Sequence, residues 1–200
     1  MSQPAGTPSE PDPDLPPGQR PARVWRASTY GKVPRLSLET WRLTLAGATR
    51  DGGMHVLDHP ALTELPQVEV PAALHCVDRR SVTGLTWAGV RLHDLIELAP
   101  PAPGAEHVLL AAARGYAAAV HLGDALHPDA LIATHVDGEP LTPEHGWPAR
   151  VVLPHLYGFK GPKWIVEVTY HHERPQGYWE RRGYHPRGRV AHEERWSHQG

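Results

Sequence analysis

The sequence predicts one β-rich α+β domain behind a proline-rich N-terminal tail, on three observations. The 200 residues allow a single domain of ordinary size, with a core that needs no disulfide. Apolar residues fall mostly in short alternating runs broken by Gly and Pro, the pattern of strands and turns. Residues 1–24 contain almost nothing that can be buried, so they read as a disordered tail, and 25–200 as the domain.

Each element follows from local pattern. Trp41 to Leu45 alternates and ends at Gly47, a strand and turn. Val68 to Cys76 is extended and interrupted by Pro71. Val90 to Leu98 puts Leu92, Leu95 and Ile96 on one face, a short helix stopped by Pro100 and Pro101. His107–Ala113 and Tyr116–Leu122 flank Arg114-Gly115, a hairpin. Leu131 to Val136 enters an Asp137-Gly138 turn, and Arg150–Leu153 and Trp164–Tyr170 are β-prone. Tyr178 to Gly200 is charged and aromatic without a period.

The charge balance, 20 basic against 22 acidic residues, gives no global field for nucleic acid or an anionic membrane. No apolar run reaches membrane-spanning length, and the first residues carry neither a signal core nor a twin arginine, so a cytoplasmic protein is expected. The single cysteine fits a reducing compartment. P-loop, G-x-S-x-G, G-x-G-x-x-G, His-Glu-x-x-His and Cys-x-x-Cys patterns are all missing.

Three segments carry chemistry. Cys76 sits where an extended run meets Asp78-Arg79-Arg80, and the two arginines are expected to favour its thiolate; the plain alternative is a small core residue. Arg150, Lys160 and Lys163 surround a glycine-containing loop able to hold a phosphate, or are ordinary surface cations. Tyr178 to His185 suits an anion-pocket wall, or a tail packing its aromatics on the body. The 15 histidines are mostly scattered singles, which leaves a zinc or copper protein as a weaker reading.

In this order the segments resemble the sulfite-oxidase family of molybdopterin oxidoreductases. The resemblance runs through Tyr30-Gly31-Lys32-Val33-Pro34 with Trp41-Arg42-Leu43, then Leu74-His75-Cys76-Val77 with Ser81, then Trp87-Ala88-Gly89-Val90-Arg91-Leu92. It continues through Gly115-Tyr116, Gly138-Glu139-Pro140-Leu141 and Glu144-His145-Gly146. Arg150 to Pro154, Tyr157-Gly158-Phe159-Lys160, Lys163-Trp164 and Trp179 to Tyr184 complete it. The resemblance implies a molybdenum–molybdopterin (pyranopterin dithiolene) cofactor with Cys76 as the protein ligand to the metal. It implies that Tyr30, His75, His145, Arg150, Tyr157, Lys160 and Lys163 bind the cofactor. Tyr184 corresponds to the family's active-site tyrosine and Arg80 to its substrate-binding arginine, with Lys32 or Arg182 as further cationic contacts.

The expected activity is oxygen-atom transfer on a small substrate, as sulfite oxidation or as S- or N-oxide reduction. Electrons are expected to pass through a separate cytochrome or other redox protein. The alternative is a domain that binds or carries the cofactor without turnover.

Overall fold

The computed structural model describes residues 15–29 and 31–199. In chain order the elements are β1 (Arg20–Pro21), β2 (Arg42–Gly47), β3 (His55–Asp58), α1 (His59–Glu64), β4 (Gln67–Pro71), β5 (Leu74–His75), β6 (Arg80–Val82) and β7 (Thr86–Arg91). They continue as α2 (Leu92–Leu98), β8 (His107–Ala112), β9 (Ala117–His121), α3 (Leu122–Ala125), β10 (Leu131–Val136), β11 (Glu139–Pro140), β12 (Arg150–Val152) and β13 (Ile165–His171). Short 3-10 turns fill the segment after β13.

Local chemistry accounts for most of these. The Arg114-Gly115 turn has φ of 81° and 79°, the pair of positive values that a two-residue hairpin loop demands. The Asp58 carboxylate accepts the Ala61 N–H at 2.9 Å and Pro60 presets the first turn, which starts α1. The helix expected from Val90 begins instead at Leu92. Val90 pairs with Gln67 on one side and Ile132 on the other, so the sheet claims it first.

Two five-stranded sheets form the body. One has the order β3-β2-β13-β8-β9, with β2 and β13 parallel. The other has the order β11-β10-β7-β4, with β12 also paired to β10. The main core, including Leu43, Leu45, Leu95, Val108, Ile132, Val151 and Val168, lies between them and is roofed by α1 and α2. A smaller cluster of Val70, Trp87, Leu131, Ala133 and Val152 covers the other face of the second sheet. Strand alternation then positions the site: Val151 enters the main core, so Arg150 must leave on the opposite face, beside Trp87.

A third sheet, β1-β6-β5, corrects the expected tail. Residues 15–24 belong to the folded body: Arg20 and Pro21 pair in parallel with Arg80 and Ser81. Gln19 is buried, accepts a hydrogen bond from the Ser81 hydroxyl at 3.0 Å and donates to the Cys76 carbonyl at 3.4 Å. A low apolar content hid this, because the segment is held by backbone pairing and one buried amide rather than by hydrocarbon burial. Residues 1–14 lie outside the described residues.

Candidate active site

The β5–β6 hairpin presents the thiol. His75 pairs with Ser81 across the hairpin, and the Cys76 N–H donates to the Arg80 carbonyl at 2.7 Å. Arg79 closes the loop in the left-handed region, with φ of 72°. The His75 ring is locked by its Nδ1 against the Ser81 hydroxyl at 2.7 Å. Cys76 therefore sits on a rigid turn, half-buried, at the edge of a cavity of about 520 Å³.

The opposite wall comes from β12 and the loop before β13. Arg150 bridges in antiparallel register to Lys163, and Gly146 lets His145 close in beside both. Gly146 has φ of 117°, and a Cβ there would stand 2.9 Å from that of Arg150. Arg150 is buried, donates to the His145 carbonyl at 3.1 Å and lies 5.1 Å from the centre of the Trp87 ring. The Lys163 ammonium donates to the carbonyls of Ser28 at 2.6 Å and Glu144 at 2.8 Å. Among the described residues neither cation has a carboxylate ion-pair partner within contact distance, and Arg150 Nε and His145 Nε2 are buried without a hydrogen bond. Burial pulls the Arg150 guanidinium down to about 10, and burial with the neighbouring Arg150 charge pulls Lys163 down to about 8. Burial also lowers His145, helped by both cations.

The mouth near Cys76 differs. Tyr184 packs among Phe159, Trp179 and Trp196, with ring centres 5.1, 4.8 and 4.7 Å away. Burial, then the nearby Cys76 and Asp78 charges, raises its hydroxyl, which stays a proton donor. Arg80 turns onto Asp78, its Nε donating to Oδ2 at 2.8 Å. This overturns the expectation that the arginines favour the thiolate: burial is the larger effect and lifts the Cys76 thiol, with Arg80 spent on the adjacent carboxylate.

His75, Cys76, Arg80, His145, Arg150, Lys163 and Tyr184 all line the same cavity. Two expectations are corrected. Lys160 is fully buried and points away, donating to the Ala119 carbonyl at 2.7 Å, the Pro186 carbonyl at 2.5 Å and the Glu180 carboxylate. Its ammonium ties the C-terminal segment to β9 and has no donor left for a phosphate. Tyr157 is buried beneath the Arg195 guanidinium, 5.1 Å from the ring centre, and is not on the cavity wall. Arg182 likewise rests on the Tyr178 ring, 3.6 Å from its centre. Tyr30 lies outside the described residues.

Sequence reasoning missed Trp25, Ser28 and Thr29, which form a wall of the cavity. The Trp25 ring lies tilted against His145, with centres 4.0 Å apart, and edge-on to Trp87 at 5.5 Å. A tryptophan at the start of the presumed tail's border was the available signal. Some of the scattered histidines meet in pairs, His127 with His155 at 4.2 Å and His107 with His121 at 5.8 Å between ring centres. Among the described residues the one metal-type trio whose ligand atoms come together is His93, Asp94 and Glu97, on the surface of α2.

A half-buried thiol lines the same cavity as two cations that form no ion pair among the described residues, an arrangement suited to an anionic, metal-bearing cofactor. Comparison with known proteins names the class more closely. Residues 30–179 match the family described as oxidoreductase molybdopterin binding domain, and the chain belongs to that family. It is a molybdopterin-dependent oxidoreductase of the sulfite-oxidase type. The chain is 36% identical over 181 residues to the uncharacterized oxidoreductase YuiH of Bacillus subtilis (strain 168), covering 87% of each protein. It is 31% identical over 157 residues to a putative protein-methionine-sulfoxide reductase subunit, YedZ1, of Azospira oryzae, covering 78% of this chain and 59% of that one. Its fold is that of the sulfane dehydrogenase SoxCD from Paracoccus pantotrophus, with a TM-score of 0.69 at 20% identity, over 82% of this chain and 46% of the other. No helix among the described residues is long and apolar enough to cross a membrane.

The residues present fit the family's cofactor. Arg150 Nε and His145 Nε2 are buried without a hydrogen-bond partner, and both residues belong to the cavity wall, where an anion would supply an acceptor for the guanidinium. The lone thiol at the other end is a soft ligand suited to molybdenum.

Proposed function

We propose that the chain transfers an oxygen atom to or from a small molecule, with Cys76 as metal ligand and His145, Arg150 and Lys163 as the phosphate grip. The single observation that carries this is the presence, in one cavity, of a lone thiol and of cations that form no ion pair with a carboxylate among the described residues. When bound, the cofactor supplies the two-electron redox chemistry. The Cys76 thiol gives up its proton on ligation. Tyr184, held protonated by burial, donates a hydrogen bond to the substrate oxygen, and its aromatic neighbours exclude water from that bond. Trp25 closes the phosphate end, where its ring covers His145.

The mouth favours a neutral substrate. Arg80 is neutralised by Asp78, and Phe159 and Trp179 flank Tyr184; outside the phosphate grip, the unpaired cation among the described residues that also lines the cavity is Arg26, on the segment after β1. A sulfite dianion needs free cations at that point, whereas a sulfoxide or N-oxide does not. The reaction in that direction takes two electrons and two protons, and releases the reduced substrate and water. The electrons come one at a time from a separate redox protein. A cytoplasmic setting belongs to the same reading, which the reduced lone thiol suits.

The test is turnover of purified, molybdenum-loaded protein with a reduced viologen dye and methionine sulfoxide, and with an oxidising dye and sulfite. Faster turnover of the sulfoxide is expected. Full loading with no turnover in either direction would favour a cofactor carrier, and faster sulfite oxidation would refute the reading of the Asp78–Arg80 pair.

A further inference from the structure

We infer that the face around the Cys76 hairpin, formed by Arg20, Arg23, Arg26 and Arg79, is the docking surface for an acidic electron-carrier protein. The inference rests on the electron-partner reading above and adds where the partner binds and what charge it carries.

The chain has a net charge of −2, yet residues 15–35 carry five basic side chains, Arg20, Arg23, Arg26, Lys32 and Arg35, and no acidic one. The fold brings Arg20 and Arg26 to the cavity that holds the cysteine, with Arg23 between them in the chain. Arg20 donates its N–H to the Arg79 carbonyl at 2.9 Å and sits opposite Arg80 in the parallel β1–β6 pair. On that pair Gln19 and Ser81 turn inward, so Arg20, Ala22, Arg80 and Val82 share the other face. Ala22, Arg80 and Val82 line the cavity, which places Arg20 at its outer margin, and Arg26 lines it directly.

These side chains have no internal purpose. Arg20, Arg23, Arg26 and Arg79 are exposed, and among the described residues none pairs with a carboxylate. The one acidic group at the hairpin, Asp78, is taken by Arg80. Like charges crowded on neighbouring strands raise the energy of the free protein, and an anionic partner removes that cost. Val24, 63% exposed and on the cavity wall, lies between Arg23 and Arg26 in the chain, an exposed apolar residue beside basic ones. That is the make-up of a transient interface, in which charge steers the encounter and a small apolar contact holds it. Its place also suits electron transfer, because the hairpin that carries it holds the metal-ligating thiol.

The experiment measures binding and transfer separately. Immobilised holoprotein is titrated with flavodoxin, an acidic one-electron carrier, and with cytochrome c as a basic control, between 20 and 300 mM NaCl. Dye-linked turnover, which needs no docking, is followed in parallel. Flavodoxin should bind, cytochrome c should not, and salt should weaken the binding as charges beyond about 8 Å become screened at physiological ionic strength. Arg20→Glu/Arg23→Glu should slow association by about tenfold or more. Arg20→Lys/Arg23→Lys should retain it, and both variants should keep their molybdenum and their dye-linked rate. Equal binding by the charge-reversed variant, or no preference for the acidic carrier, would overturn the proposal. So would binding to phosphatidylglycerol vesicles with none to the carrier. Loss of dye-linked turnover in the parent protein would instead count against the oxygen-transfer reading and leave the binding result to be judged on its own.

Discussion

Replacing Arg150 with methionine separates stability from function at the phosphate end of the cavity. The guanidinium is buried with no carboxylate partner, and burial lowers it from its ordinary value to about 10. At about 1.36 kcal/mol per pH unit, keeping it charged costs the cofactor-free protein about 3 kcal/mol. Its hydrogen bond to the His145 carbonyl and its cation–π contact with Trp87 offset about half of that. Methionine fills similar volume without the charge, so cofactor-free Arg150→Met should be more stable by about 1–2 kcal/mol, a rise in Tm of about 3–6 °C for a chain of this size. The cofactor-loaded protein should show the reverse, losing pterin and molybdenum on gel filtration. The assay is thermal unfolding of protein made in a host without molybdopterin, alongside metal and pterin content of protein made in a competent host. A lower Tm without cofactor would mean that the arginine stabilises the fold, and unchanged cofactor retention would remove it from the grip.

Three further outcomes follow from the same geometry. Cys76→Ser should abolish turnover and alter the sulfur coordination seen by X-ray absorption, while shifting Tm little because the hairpin is held by backbone pairing; unaltered coordination would dismiss the thiol as ligand. Tyr184→Phe should keep its molybdenum and lower kcat about tenfold to a hundredfold, and an unchanged kcat would take the hydroxyl out of the mechanism. Lys163 should give opposite pH signatures. Its folded value of about 8 lies below its ordinary value, so above pH 8 the unfolded chain binds more protons and cofactor-free stability rises with pH, while cofactor retention falls as the ammonium is lost; Lys163→Met should flatten both profiles.

The sequence told chemistry better than direction. Cys76, His145, Arg150, Lys163 and Tyr184 were legible because each lies in a motif whose residue types imply a role, and all five line the cavity. Lys160 and Tyr157 share those motifs yet point elsewhere. The 3-10 turn at Gly158–Lys160 rotates successive side chains to different sides, a rotation that residue identity does not encode. The strand around Trp41 was legible from alternation, that around Leu131 from the turn it enters and that around Ile165 from β-propensity, whereas β1 was not, since two residues have no period. The short helix α1 carried a readable start in Asp58-His59-Pro60 that hydrophobic pattern alone passes over.

Gly18 leaves no room for a side chain, since one would strike the Glu193 carboxylate, and its carbonyl accepts a hydrogen bond from Arg195 at 3.3 Å. Segments some 175 positions apart in the chain thus come to rest on each other, one of them sewn to the thiol-bearing hairpin. An electrode tether, a reporter dye or a fused donor protein grafted near either segment would arrive at the same doorstep. Either segment therefore serves to wire this enzyme to a surface.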